Sequence, residues 1–149
     1  MLLRGSCHCR AVRFSVESET PYPYLWCYCH ICRKTAGGGG YAINIMGTAA
    51  TLRVKGKTKV YRAMRGGGQR HFCGKCAAAL WVWDGRWPHW IYPFASAIDT
   101  PLPVPRERQY IFLSSKPGWV EVPKRGARFR EFPREAIIDW HRKRKLLVR

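Results

Sequence analysis

The chain has 149 residues, 46% of them apolar, enough for one core and too few for two, so a single domain spanning 1–149 is expected. Lys and Arg number 27 against 9 Asp and Glu, a formal charge of +18; so few acids argue against paired-carboxylate chemistry, and no Ser-His-Asp set competes for a catalytic role. No apolar run approaches the ~20 residues that span a bilayer, and the stretch from Met1 to Cys7 leaves no room for a signal-peptide core. A cytoplasmic protein with reduced thiols and no membrane partner is the expectation.

Taken in chain order, period-2 alternation recurs. Val12, Phe14 and Val16 alternate with Arg13 and Ser15; Tyr41, Ile43 and Ile45 alternate with Ala42 and Asn44. Residues 80–83 read as a strand buried on both faces, and 89–94 and 109–113 also read as strands. Glycines at 37–40 and 66–68, prolines at 101, 103 and 105, and Pro117-Gly118 punctuate between them. The glycines at 37–40 read first as a surface loop, with close approach of backbone N–H groups to an anion as the alternative. Seven Trp, seven Tyr and six Phe suit strands better than helices. The fold class is therefore mainly β, built of antiparallel sheets. One helix is expected over about 133–149, where Glu135 and Asp139 precede Arg142, Lys143, Arg144 and Lys145 in the order that complements a helix dipole. That basic run reads as a solvated helix end, because Arg4, Arg10, Arg13, Arg53, Lys55, Lys57 and Lys59 spread positive charge along the whole chain.

All seven cysteines fall in three groups: Cys7 and Cys9; Cys27, Cys29 and Cys32; Cys73 and Cys76. Clustered, reduced cysteines point to metal, and thiolate is the preferred ligand of zinc. Cys7, Cys9, Cys73 and Cys76 make a structural set of four that closes a long loop. Cys27, Cys29 and Cys32 then form a set of three with an open fourth position, the arrangement of catalytic zinc. Two zinc ions use every cysteine. Arg10, Arg33, Lys34 and Lys75 would offset the negative clusters. His8, His30 and His71 each lie near a cysteine, and His30 is the alternative fourth ligand that would make the second site structural.

Gly5-Ser6-Cys7-His8-Cys9, Cys27-x-Cys29-x-x-Cys32-Arg33-Lys34 and Phe72-Cys73-x-x-Cys76 resemble the glutathione-dependent formaldehyde-activating enzyme family, which also contains centromere protein V. Gln109-Tyr110-Ile111-Phe112 and Trp119-Val120-Glu121-Val122-Pro123 extend the resemblance to about Pro133. It implies a β-tent fold, structural zinc on Cys7, Cys9, Cys73 and Cys76, and catalytic zinc on Cys27, Cys29 and Cys32. It also implies carbon–sulfur lyase activity joining glutathione and formaldehyde into S-hydroxymethylglutathione. The chain departs from the family pattern at Arg10 and Ala77, where glycine is usual, and at Tyr28 and His30. The competing expectation is a non-catalytic zinc module whose basic surface holds nucleic acid or an acidic protein.

Overall fold

The computed structural model describes residues 1–149. Its elements are β1 (Leu2–Ser6), β2 (Arg13–Glu17), β3 (Leu25–Cys27), α1 (His30–Thr35), β4 (Ala42–Ile43), β5 (Gly47–Thr48), β6 (Arg53–Lys55), β7 (Thr58–Arg62), β8 (Gln69–Cys73), β9 (Ala79–Trp83), β10 (Trp90–Pro93), β11 (Gln109–Ile111), β12 (Ala127–Arg128) and α2 (Ile137–Lys143). The mainly β expectation holds, with a β-tent arrangement of three sheets in the orders β1-β2-β6, β5-β10-β9-β8-β7 and β12-β11-β3-β4.

Alternation along β2 turns Phe14 and Val16 inward and Arg13 and Glu17 outward. Register carries this across the first sheet. Arg4 pairs with Ser15, which pairs with Arg53; Ser6 pairs with Arg13, which pairs with Lys55. One solvent face therefore carries Arg4, Arg13, Arg53 and Lys55, with Arg13 directly opposite Lys55. The second sheet is a meander from β7 to β10, with an irregularity between His71 and Phe72. The third sheet departs from the antiparallel expectation, since β11 runs parallel to both β3 and β12. The cause is connectivity: β11 reaches β3 by a long crossover, and only a hairpin would force antiparallel pairing.

Two cores result. One gathers Leu3, Val12, Phe14, Val16, Ile45, Leu80, Trp81 and Ile91 around Cys7 and Cys73. The other gathers Tyr24, Leu25, Phe94, Ile111 and Trp140 around Cys27 and Cys32. Each cysteine group is thus rooted in its own apolar cluster. No helix is long and apolar enough to cross a membrane.

The C-terminal helix is shorter than its charge pattern predicts. Ala136 is extended, so the helix starts at Ile137, and Lys145 at φ 57° ends it. Glu135 works from outside the helix, accepting from Lys143 and Arg144. Trp140 stacks on Tyr24 at 3.6 Å, and Arg144 covers Trp140 while pairing with Glu107 and Glu135. Arg142 and Lys143 are solvated as expected, whereas Arg144 fastens the helix to the domain.

Candidate metal centre and active site

Cys7 and Cys9 occupy the turn between β1 and β2; Cys73 ends β8, and Cys76 lies in the turn from β8 to β9. Each turn folds its backbone around sulfur. Val12 N–H donates to Cys7 Sγ at 3.2 Å, and Lys75 N–H donates to Cys73 Sγ at 3.4 Å. Arg10 and Ala77 close the two turns at φ 60°. That is the left-handed region where glycine is at ease and a Cβ costs about 1–2 kcal/mol. The two departures from the family's glycines therefore sit where glycine serves a backbone need.

The four sulfurs converge within 4.8 Å of one another, with Cys7 Sγ 3.6 Å from Cys9 Sγ and Cys9 Sγ 3.8 Å from Cys73 Sγ. A tetrahedron with metal–sulfur bonds of ~2.3 Å has sulfur–sulfur edges of about 3.8 Å, whereas a disulfide needs about 2.05 Å. All seven cysteines are free thiols. The set fits a tetrahedral, thiolate-bound ion. Backbone N–H groups of Cys9 and Ala78 draw the Cys76 thiol down to about 6. The Ala11 N–H also acts to lower Cys9, but burial and the surrounding thiols outweigh it and push Cys9 up to about 11. Four crowded thiols cannot all ionise without a cation among them.

Cys27, Cys29 and Cys32 form the second set, again with sulfurs within 4.8 Å. Cys27 ends β3, Cys29 caps α1, and Cys32 lies on the first turn of that helix. Cys29 Sγ accepts from the Cys32 N–H at 3.2 Å, so the cap also fixes the spacing of two donors. Hydrogen bonds from Cys27 and Cys32 hold the Cys29 thiol down at about 2, while the bond to Cys29 drives Cys27 far up. No histidine joins either set. His8 and His30 are exposed, and His71 is held by Thr58 Oγ1 at 3.0 Å and stacked on Trp81. Tyr28 is wholly buried in a small cluster with Tyr110 and Val120, a packing role.

Arg10, Arg33 and Lys34 come together with His8, Cys7 and the backbone of Gly37 and Gly38 around a cavity of about 720 Å³. A Cβ on Gly37 would lie 2.0 Å from Tyr41 O, so this glycine is required by close approach and is no mere loop filler. Arg33 Nε itself is buried behind the wall without a partner. Lys75 lies outside this wall. The spacing of the cysteines gave no hint of Arg70, whose Nη2 lies 3.7 Å from Cys32 Sγ and Nη1 3.4 Å from Thr35 Oγ1. Strand β8 brings it across 38 residues, a contact no local pattern announces.

The glutathione-dependent formaldehyde-activating enzyme family matches residues 2–114. A Halomonas elongata protein named "Putative glutathione-dependent formaldehyde-activating enzyme" is 56% identical over 149 residues, covering 95% of each chain. A crystal structure of a Rhodobacter sphaeroides protein aligns with a TM-score of 0.56 at 24% identity, covering 67% of this chain and 91% of that one, a likeness of fold. Family match and close relative agree with the cysteine geometry: the chain belongs to the glutathione-dependent formaldehyde-activating enzyme family.

Proposed function

We propose that this single-domain cytoplasmic protein is a zinc-dependent carbon–sulfur lyase that joins glutathione or a similar thiol to formaldehyde or another small aldehyde, and cleaves the same adduct. In the forward direction a sulfur–carbon bond forms, the carbonyl π bond breaks, and the thiol proton passes to the carbonyl oxygen. Cys7, Cys9, Cys73 and Cys76 are assigned to a structural zinc, and Cys27, Cys29 and Cys32 to a catalytic one. The observation that carries this reading is the set of three converging thiols with no fourth protein donor; the residues that follow Cys32, Arg33 and Lys34, wall a basic cavity whose own cysteine is Cys7.

Zinc held by Cys27, Cys29 and Cys32 would supply positive charge and an exchangeable ligand position. The protein's own residues do the rest. Arg10, Arg33 and Lys34 bind the carboxylates of the thiol substrate. Arg70 spans Cys32 and Thr35, holding the end of α1 against β8 so that thiol and aldehyde meet in one geometry. Phe94, Leu25 and Ile111 keep water from the inner side of the three thiols.

The test combines elemental analysis with NMR detection of adduct formation, using glutathione and several small aldehydes. The parent is expected to hold two zinc ions and to accelerate adduct exchange. Cys32→Ser is expected to lose the acceleration and one ion. A parent inactive with every thiol–aldehyde pair would overturn the enzyme reading in favour of a basic binding module.

A further inference from the structure

Beside the three thiols lies a second, smaller cavity of about 290 Å³ that the formaldehyde reaction does not require. Its walls are Tyr61, Phe72, Phe94, His71, Arg70 and Thr35, and its character is aromatic where the larger cavity is basic. The two cavities share Thr35 and Ala79. Phe94 and Ala79 pack in the same apolar cluster as Cys27 and Cys32, and Arg70 touches Cys32 directly. Two compartments of opposite chemistry therefore flank the end of α1 at Thr35, one for an anionic molecule and one for an apolar group, with Arg70 linking the second to Cys32.

Formaldehyde carries no substituent on its carbon and has no use for an aromatic compartment. A larger aldehyde does. We propose that the carbonyl substrate of this site is an aldehyde bearing an aryl or comparably bulky apolar substituent, seated between Tyr61, Phe72 and Phe94, with its carbonyl directed toward Arg70. This inference rests on the thiol–aldehyde reading above and narrows its carbonyl class. Arg70 makes no carboxylate ion pair; its side-chain partners are Thr35 Oγ1 and Cys32 Sγ. Of the five N–H donors on a guanidinium, some remain for a carbonyl oxygen that gains negative charge as sulfur adds to carbon. The bond changes are those already given, sulfur–carbon formed and the thiol proton moved to oxygen, with no oxidant or reductant. Tyr61 is half exposed on the edge strand β7, so the compartment opens to solvent on that side and a substituent can enter without unfolding the sheet.

The experiment measures kcat/KM for adduct formation with glutathione and either phenylacetaldehyde or formaldehyde, in the parent, Tyr61→Ala and Arg70→Met. The parent is expected to prefer phenylacetaldehyde. Tyr61→Ala should lower the phenylacetaldehyde-to-formaldehyde ratio by about tenfold, the worth of one good aromatic contact. Arg70→Met should lower kcat with both aldehydes more than it raises KM. Tyr61 is an exposed edge residue, so its variant stays informative if Arg70→Met fails to fold. A parent that turns over formaldehyde yet disfavours phenylacetaldehyde, with a ratio unchanged by Tyr61→Ala, overturns this inference alone. A parent inactive with both overturns the lyase reading beneath it.

Discussion

Replacing Cys73 by serine should cost far more stability than replacing Cys32, although each removes one sulfur from a cluster. Cys9 and Cys73 lie 64 residues apart, so an ion joining them closes a long loop. By the chain-entropy relation for cross-links, a loop of that length stabilises the fold by about 4 kcal/mol. The compact cluster closes only the short segment from Cys27 to Cys32, for which the same relation gives about 2 kcal/mol. At about 2–4 °C per kcal/mol for a chain of this size, Cys73→Ser should lower Tm by about 8–16 °C and Cys32→Ser by about 4–8 °C. Differential scanning calorimetry of zinc-loaded parent and variants measures both. A strong chelator should erase most of the difference between the two variants, because it removes the cross-link from every chain. Equal losses for the two variants, or a parent Tm indifferent to chelation, would refute the reasoning.

Ala77→Gly should raise Tm by a few degrees: relief of a Cβ at φ 60° gains about 1–2 kcal/mol, and the looser unfolded chain returns about 0.4–1 kcal/mol of it; a lower Tm would show that the turn does not carry this strain. Burial lowers the pKa of His141, outweighing the hydrogen bond at Ile137 O, so the unfolded chain binds the proton more readily. This contribution to stability is whole above the unfolded value of about 6.5 and is lost as pH falls from there toward the folded value. Melting curves between pH 8 and pH 5 should therefore drop more steeply for the parent than for His141→Phe, and parallel curves would count against it.

The cysteine partition was legible because tight spacing and metal chemistry leave few alternatives. The strand at Arg13–Glu17 was legible because its alternation meets a half-buried sheet, and those at Ala79–Trp83 and Trp90–Pro93 because each is a short apolar run between turn residues. What stayed hidden depends on the third dimension. β6 and β7 are exposed edge strands with little inward pattern to read. The helix α1 has six residues and is set by a sulfur cap, too short for periodicity to show. The parallel pairing of β11 follows from a crossover path, and Arg70 becomes a site residue only once β8 lies beside α1. Pro133 suggested the first turn of a helix, but Glu135 is needed outside it to hold Lys143 and Arg144.

The outer face of the first sheet sets Arg13 opposite Lys55, and Arg4 and Arg53 share a row with Ser15 between them. Cross-strand neighbours of like sign repel, and the acids beside them, Glu17 on the outward side of β2 and Asp99 at the rim of the same face, are outnumbered. Dissolved salt therefore adds to the screening that these two carboxylates begin. As ionic strength rises and the Debye length shrinks from about 30 Å at 0.01 M to about 3 Å at 1 M, the repulsion among these side chains fades while the apolar contacts beneath them persist. Melting temperature should therefore rise modestly between about 0.01 M and 1 M salt, by the small amount that exposed charge pairs are worth.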